Sequence, residues 1–226
     1  MPGKFIVIEG TDGSGKATHL ALAVEKLRGE GRAVEVMDFP QYGQKSAGAV
    51  EEYLNGKYGG VHEVSPYVAS LFYAVDRFDA SFKMRAALAD GKSVLSNRYV
   101  LSNAAHQGSK IKDATARQIF LDWLEKTEYG ILNLPRPDAI LFLHVPAEIG
   151  YELVLKKGAR EHLQGKTRDI HEQNLEYLQT VEKTYMAIAA RDSGIITIEC
   201  APQGTLLPIE TIHPLVMTAI KKIISL

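Results

Sequence analysis

The chain has 226 residues, 46% of them hydrophobic, and a formal net charge of −1. That length suits one α/β domain with a full core. The near-neutral balance excludes a general field for nucleic acid or a membrane surface, so any phosphate must be bound locally.

Cys200 is the single cysteine, which rules out an intrachain disulfide and fits a reducing cytoplasmic setting. No charged-then-apolar leader opens the sequence, and no apolar run approaches about 18 residues, so neither secretion nor a membrane span is expected.

Phe5 to Ile8 is a short β-branched apolar run, the profile of a buried parallel strand. The chain then turns through Gly10, Gly13 and Gly15 into a helix predicted over Lys16 to Arg28. Gly10 to Lys16 spells G-x-x-x-x-G-K, a phosphate-binding P-loop in its required strand-to-helix setting. Glycines let amide N–H groups crowd around phosphate oxygens, and the helix N-terminus adds partial positive charge. The loop therefore predicts a nucleoside triphosphate, ATP or GTP, on Gly10, Thr11, Asp12, Gly13, Ser14, Gly15, Lys16, Ala17 and Thr18, with Lys16 reaching the β- and γ-phosphates. Ala17 stands where a Mg²⁺-binding hydroxyl is usual, which weakens the metal expectation without removing it.

A second strand is predicted at Ala33–Met37, ending in Asp38-Phe39-Pro40, then a loop, and a short helix around Ala47–Leu54. After a turn-rich break, Ser65-Pro66 opens a long helix to about Ala89, proline being tolerated in a first turn. Ser93–Ser96 reads as a third strand with Asn97-Arg98-Tyr99 at its C-terminal end, where open parallel sheets bind ligands. Helices over about Ser102–Gly108 and Ala114–Glu128 precede a fourth strand, Ala139–Val145, and a helix from Pro146 to about Lys157. The stretch 158–168 has no apolar period and reads as a loop carrying Arg160, Lys166 and Arg168. A helix from Asp169 to Arg191, a fifth strand at Ile195–Glu199 and a final helix complete a five-stranded parallel sheet with helices on both faces, in a single domain spanning 1–226.

Several stretches carry a resemblance: Phe39-Pro40, Tyr73 to Phe78, Asn97-Arg98-Tyr99 through Gln107-Gly108, and Pro135-Arg136-Pro137-Asp138 before ILFLHV. With the P-loop, their kind and order resemble the thymidylate kinases over nearly the whole chain. The resemblance implies the P-loop NTP hydrolase-like three-layer fold and γ-phosphoryl transfer from ATP to dTMP with Mg²⁺. It also implies a cytoplasmic homodimer packed through helices, with the long helix from Ser65 the chief contributor. Nucleotides are the expected partners, and neither a nucleic acid polymer nor a membrane is.

By position, the resemblance assigns Lys16, Arg98 and the basic residues of a LID at 158–168, Arg160 and Arg168 among them, to catalysis. It places Arg77 and Arg98 at the acceptor phosphate, Phe39 beside it, Tyr73 or its neighbour Phe72 against the pyrimidine, and Ser102, Asn103 and Gln107 at the base edge. Asp12 matches the carboxylate at the sugar 3′-hydroxyl, and Lys157 lies where the family holds adenine. Gly13 is neutral, so the catalytic arginine is expected from the LID. Read without the family, Arg77 with Asp76 is equally a solvated helix pair, and the LID a solvated basic loop.

Two departures stand out. Asn97 replaces the family's aspartate, which with Ala17 leaves Glu9 and Asp12 as the nearest carboxylates to hold the metal through water. Gln41-Tyr42 stands where many members have an arginine, with Lys45 the nearest substitute. These keep open a kinase of dUMP, a modified deoxynucleotide or a deoxynucleoside, the last with Glu9 as base, and a nucleotide binder without turnover.

Overall fold

The computed structural model describes residues 3–156, 171 and 174–225. Lys157 and the expected LID with Arg160, Lys166 and Arg168 lie outside the described residues. In chain order the elements are β1 (Phe5–Gly10), α1 (Lys16–Gly29), β2 (Val34–Asp38), α2 (Gly48–Leu54), α3 (Pro66–Ala89), β3 (Ser93–Asn97), α4 (Val100–Gly108) and α5 (Ala114–Glu125). They continue with a π-helical turn (Lys126–Ile131), β4 (Ala139–His144), α6 (Ala147–Leu155), α7 (Leu175–Ala189), β5 (Ile195–Glu199) and α8 (Ile209–Ile224).

The sheet is parallel throughout, in the order β2-β3-β1-β4-β5. Side chains alternate across it. Ile6 and Ile8 of β1 face one side and pack with Leu20, Ala23 and Leu27 of α1 and with Val216 and Ile220 of α8. Phe5 and Val7 face the other, where Met84 of α3, Tyr99, and Phe120 and Leu124 of α5 cover them. Phe142 of β4 extends that second layer beneath α7, against Leu178, Val181 and Tyr185. Helices therefore cover both faces, as expected. From β1 the chain goes to one side for β2 and β3, then to the other for β4 and β5. The loop after β1 thus lies where the strand order reverses, the usual place for a ligand crevice.

Three helix boundaries differ from expectation, each for a local reason. α4 begins at Val100 rather than Ser102, because the Glu9 carboxylate accepts from the N–H groups of Tyr99 and Ser102 at 2.8 and 3.0 Å and so holds its first turn. α5 stops at Glu125 and gives way to the π-helical turn, which carries Glu128. His171 lies in a turn and α7 starts at Leu175 rather than Asp169, since the Asn174 side chain caps it by accepting from the Tyr177 N–H at 3.1 Å.

Candidate active site

The P-loop wraps from β1 into α1 as its glycines require. Gly13 and Gly15 sit at φ 81°, in the left-handed region. Gly13 has a second constraint: a Cβ there would lie 2.3 Å from the Gly150 carbonyl oxygen at the start of α6. A basic side chain at this position is excluded by the fold. The Thr11 hydroxyl donates to the Val145 carbonyl at 3.1 Å, which ties the loop to the end of β4. Lys16 is 7% exposed, and its ammonium donates to the Thr11 carbonyl at 2.7 Å.

A cavity of about 350 Å³ opens beside this loop, above the C-terminal ends of β1, β2 and β3. The loop side supplies Asp12, Gly13, Gly15, Lys16, Ala17 and Thr18. The far side supplies Phe39, Tyr73, Arg77, Arg98, Ser102, Asn103 and Gln107. Most of the sequence-predicted donor and acceptor residues therefore meet in one space.

Arg98 follows β3 and sits at φ 62°, unusual for a non-glycine residue. Its guanidinium is ion-paired with Asp12 and donates to the Ser102 hydroxyl at 3.0 Å. Burial by itself would raise the Asp12 carboxyl, but Arg98 and then Lys16 hold it well below the usual carboxylate range. Burial likewise opposes the charge on Arg98, and Asp12 overcomes it, so the arginine stays cationic.

Arg77 is 2% exposed, not a solvated helix charge. Its Nε donates to Glu128 at 2.8 Å and its Nη2 to the other oxygen of the same carboxylate. Glu128 is fully buried, so the pair is a desolvated, bidentate one. Asp76 is not Arg77's surface partner either. It accepts from the Gln41 N–H at 2.9 Å and the Ser46 hydroxyl at 2.8 Å, and so pins the loop after Phe39-Pro40 to α3. Gln41 is thereby engaged in structure. Tyr42 lines the cavity, while Lys45 is exposed and outside its lining, so Lys45 does not fill the place of the family's arginine.

The base-edge candidates differ in kind. Ser102 is engaged, with its hydroxyl 2.6 Å from Glu9 and 2.9 Å from the Tyr185 hydroxyl. Asn103 donates through Nδ2 to the Ser70 carbonyl at 3.2 Å and to Glu128 at 3.1 Å, leaving its Oδ1 buried and unpaired. In Gln107 both amide atoms are buried and unpaired. Orphaned polar atoms lining a cavity are the usual mark of a ligand's hydrogen-bonding groups. Of the two aromatics, Tyr73 lines the cavity. Phe72 is outside the lining; it is partly buried and packs against Tyr53 and Tyr58, ring centroids 6.2 and 5.6 Å away.

Glu9 corrects an expectation. It is fully buried, and besides the two backbone N–H groups it accepts from Ser102 and, at 3.0 Å, from the Tyr185 hydroxyl. With its oxygens so engaged it anchors the start of α4 and has no lone pair facing the cavity for a metal-bound water or a substrate hydroxyl.

Other lining residues were not singled out from sequence. Asp38 closes β2. His106 of α4 and His171 stack at 5.3 Å, and the His171 Nε2 lies 3.0 Å from the Tyr53 hydroxyl. Burial pushes His106 down to about 3 and His171 well below its ordinary value, so both imidazoles are neutral. Asp38 was legible as a strand-end carboxylate. Glu128 was not, because LEKTEYG reads as a solvated helix end.

A P-loop at the switch point of a parallel sheet, facing a cavity lined by buried arginines and open amides, defines a phosphate-transfer site in a P-loop NTPase fold. Residues 8–207 match the thymidylate kinase family model, and this chain belongs to that family. It is 32% identical over 191 residues to the thymidylate kinase of Mycobacterium tuberculosis, covering 84% of this chain and 87% of that one. It is 30% identical to that of Idiomarina loihiensis over 98% of each. The human enzyme is 29% identical over 63% of this chain and 61% of its own. A solved thymidylate kinase from Candida albicans superposes with a TM-score of 0.75 over 98% of this chain and 92% of that one; at 24% identity this is a likeness of fold. Family membership makes the protein a nucleoside monophosphate kinase, a phosphotransferase.

Proposed function

We propose that this protein transfers the γ-phosphoryl group of ATP to the phosphate of dTMP, giving dTDP and ADP. The observation that carries the reading is a single cavity holding the P-loop with Lys16, the arginines Arg77 and Arg98, and the unpaired amides of Asn103 and Gln107 beside Tyr73. A thymine edge presents carbonyl oxygens flanking an N–H. Gln107 brings a donor and an acceptor, and Asn103 a further acceptor. Tyr73 offers a ring face for the base.

Two anions must be brought together, and little covalent chemistry is asked of the protein. Lys16 and the loop amides hold the donor phosphates. Arg98, aimed by Asp12 and Ser102, and Arg77, braced by Glu128, receive the acceptor phosphate. Asp12 faces the sugar hydroxyl. Arg160 or Arg168 of the LID neutralises the transferring group and Lys157 lies against adenine, roles that rest on the family resemblance alone.

Mg²⁺ is part of this reading. Among the described residues no group of three or more His, Cys, Asp or Glu side chains gathers to hold a metal. Mg²⁺ commonly uses one or two carboxylates with substrate phosphates and retained water, and Asp12 and Asp38 line the cavity to that purpose. When bound, the ion neutralises phosphate charge.

A homodimer is also proposed. Val68, Leu71, Val75, Phe78 and Phe82 are each 39–61% exposed and follow a three-four spacing along α3, the pattern of a helix-packing seam. The proposed setting is the cytoplasm; no helix among the described residues is long and apolar enough to cross a membrane.

The deciding experiment is a coupled ADP-release assay with ATP and Mg²⁺, offering dTMP, dUMP and thymidine in parallel. Turnover confined to dTMP, or strongly favouring it, is expected. Turnover with thymidine alone, or none with any acceptor despite ATP binding, would overturn the proposal.

A further inference from the structure

The carboxylates around the phosphate site differ in what they have left to offer. Glu9 is consumed by α4 and Tyr185, Glu128 by Arg77 and Asn103, and Asp12 is ion-paired with Arg98. Asp38 is different. It lines the cavity at the C-terminal end of β2, and its one hydrogen bond among the described residues is to Oδ1, from the Asn97 Nδ2 at 2.7 Å. Its Oδ2 has no hydrogen-bond donor among the described residues, and the side chain is exposed to solvent at the cavity. Desolvation raises the pKa of this carboxylate, opposed by the Asn97 hydrogen bond and by the positive charges of Arg98 and Lys16.

The partnership with Asn97 is set by the sheet. Asp38 and Asn97 are register partners on neighbouring strands. A carboxylate can only accept, so the amide must turn its nitrogen toward Asp38. Doing so leaves the Asn97 Oδ1 buried and unpaired, a cost the site tolerates in exchange for holding Asp38. An aspartate at 97 would put two like charges directly across the strands, which is destabilising. The amide at 97 and the acid at 38 are thus one arrangement, with the negative charge moved from the end of β3 to the end of β2.

Resting on the kinase reading above, we infer that Asp38 faces the divalent cation of the bound nucleotides through the cation's water shell, and that Asn97 is the positioning residue that aims it. In the loop, Ala17 supplies no side-chain oxygen to the ion, and Asp12, the loop's own acid at the cavity, is ion-paired with Arg98.

The test measures binding, not turnover. Calorimetry gives the affinity for a non-hydrolysable ATP analogue in the presence of dTMP, once with excess Mg²⁺ and once with EDTA. In Asp38→Asn the gain in affinity due to Mg²⁺ falls about tenfold, the effect expected of one charge a water molecule away from the ion in partly solvated surroundings. Metal-free binding stays equal or tightens, because a negative charge near the phosphates has gone. The exchange variant Asp38→Asn/Asn97→Asp returns the acid to the other strand and restores the Mg²⁺ gain.

An undiminished Mg²⁺ gain in Asp38→Asn overturns the inference. Equal weakening with and without metal also overturns it, since that marks a structural role, as does failure of the exchange variant to recover. A chain that never phosphorylates dTMP can still pass this test, and one that does can still fail it, so the two proposals fall separately.

Discussion

Arg98 is held at φ 62° by its own guanidinium contacts. A non-glycine residue in this region costs about 1–3 kcal/mol and persists where surrounding interactions over-determine it, here Asp12, Ser102 and the Gly10 carbonyl. Arg98→Ala should lower kcat/KM for dTMP by about 10²–10³, the usual loss of a charge-stabilising donor, while affinity for an ATP analogue changes little. Near-normal turnover in this variant would remove Arg98 from the acceptor site. Arg77 makes the matching case for burial. Glu128→Ala leaves its guanidinium charged with no carboxylate opposite, which costs about 3–5 kcal/mol for a buried pair. Urea unfolding at unchanged m-value measures this, and a loss under about 1 kcal/mol would show that the charge reaches water.

At the level of elements, α3 does two jobs on two faces. Its inner face carries Arg77 and Tyr73 to the cavity and, through Asp76, pins the loop after β2. Its outer face carries the apolar seam. Placing charges in that seam, Val75→Glu with Phe82→Glu, should convert a dimer to a monomer in light scattering without unfolding the chain, since both side chains are more than half exposed. An unchanged mass would move the interface elsewhere or remove it. The π-helical turn after α5 has a comparable role. It widens the helix end where Glu128 must reach Arg77 across the core.

For the whole molecule, two histidines, the half-buried His144 and the buried His106, set opposite limits on pH stability. His144 joins β4, β5 and α7 by bonding Glu182 at 3.0 Å and Glu199 at 2.5 Å, and these carboxylates raise it to about 9 against partial burial. A raised pKa gives stability that is fully present below the unfolded value of 6.5 and is lost as pH rises toward 9. Lys110, pushed down to about 8 by burial, acts in the opposite sense above that pH. The His144 effect is therefore cleanest between the two, and His144→Gln should flatten the decline in stability there. His106 works on the acid side. Its burial makes the folded state resist protonation, so stability present above 6.5 falls as pH drops toward 3. Chemical denaturation at a series of pH values reads both limbs, and an unchanged slope in His144→Gln would refute the clamp.

The sequence by itself determined the strands, their all-parallel arrangement and the phosphate-binding loop. Each of these is local: β-branched runs, glycines at turn positions and a helix start within one short stretch. The P-loop supplied Lys16, and the resemblance to the thymidylate kinases added Arg98, Tyr73 and Gln107 as candidates. Only the tertiary structure decided which polar groups remain for a ligand. Glu9 looked like an acid at a strand end, but α4 and Tyr185 converge on it from 90 to 176 residues away and use its oxygens. Glu128 looked like a solvated charge and is the buried brace of Arg77. Asp38 and Asn97, 59 positions apart, became partners only when β2 and β3 paired in register. A side chain's chemistry is written in the sequence, but whether its lone pairs and protons are already engaged depends on distant neighbours that folding brings to it.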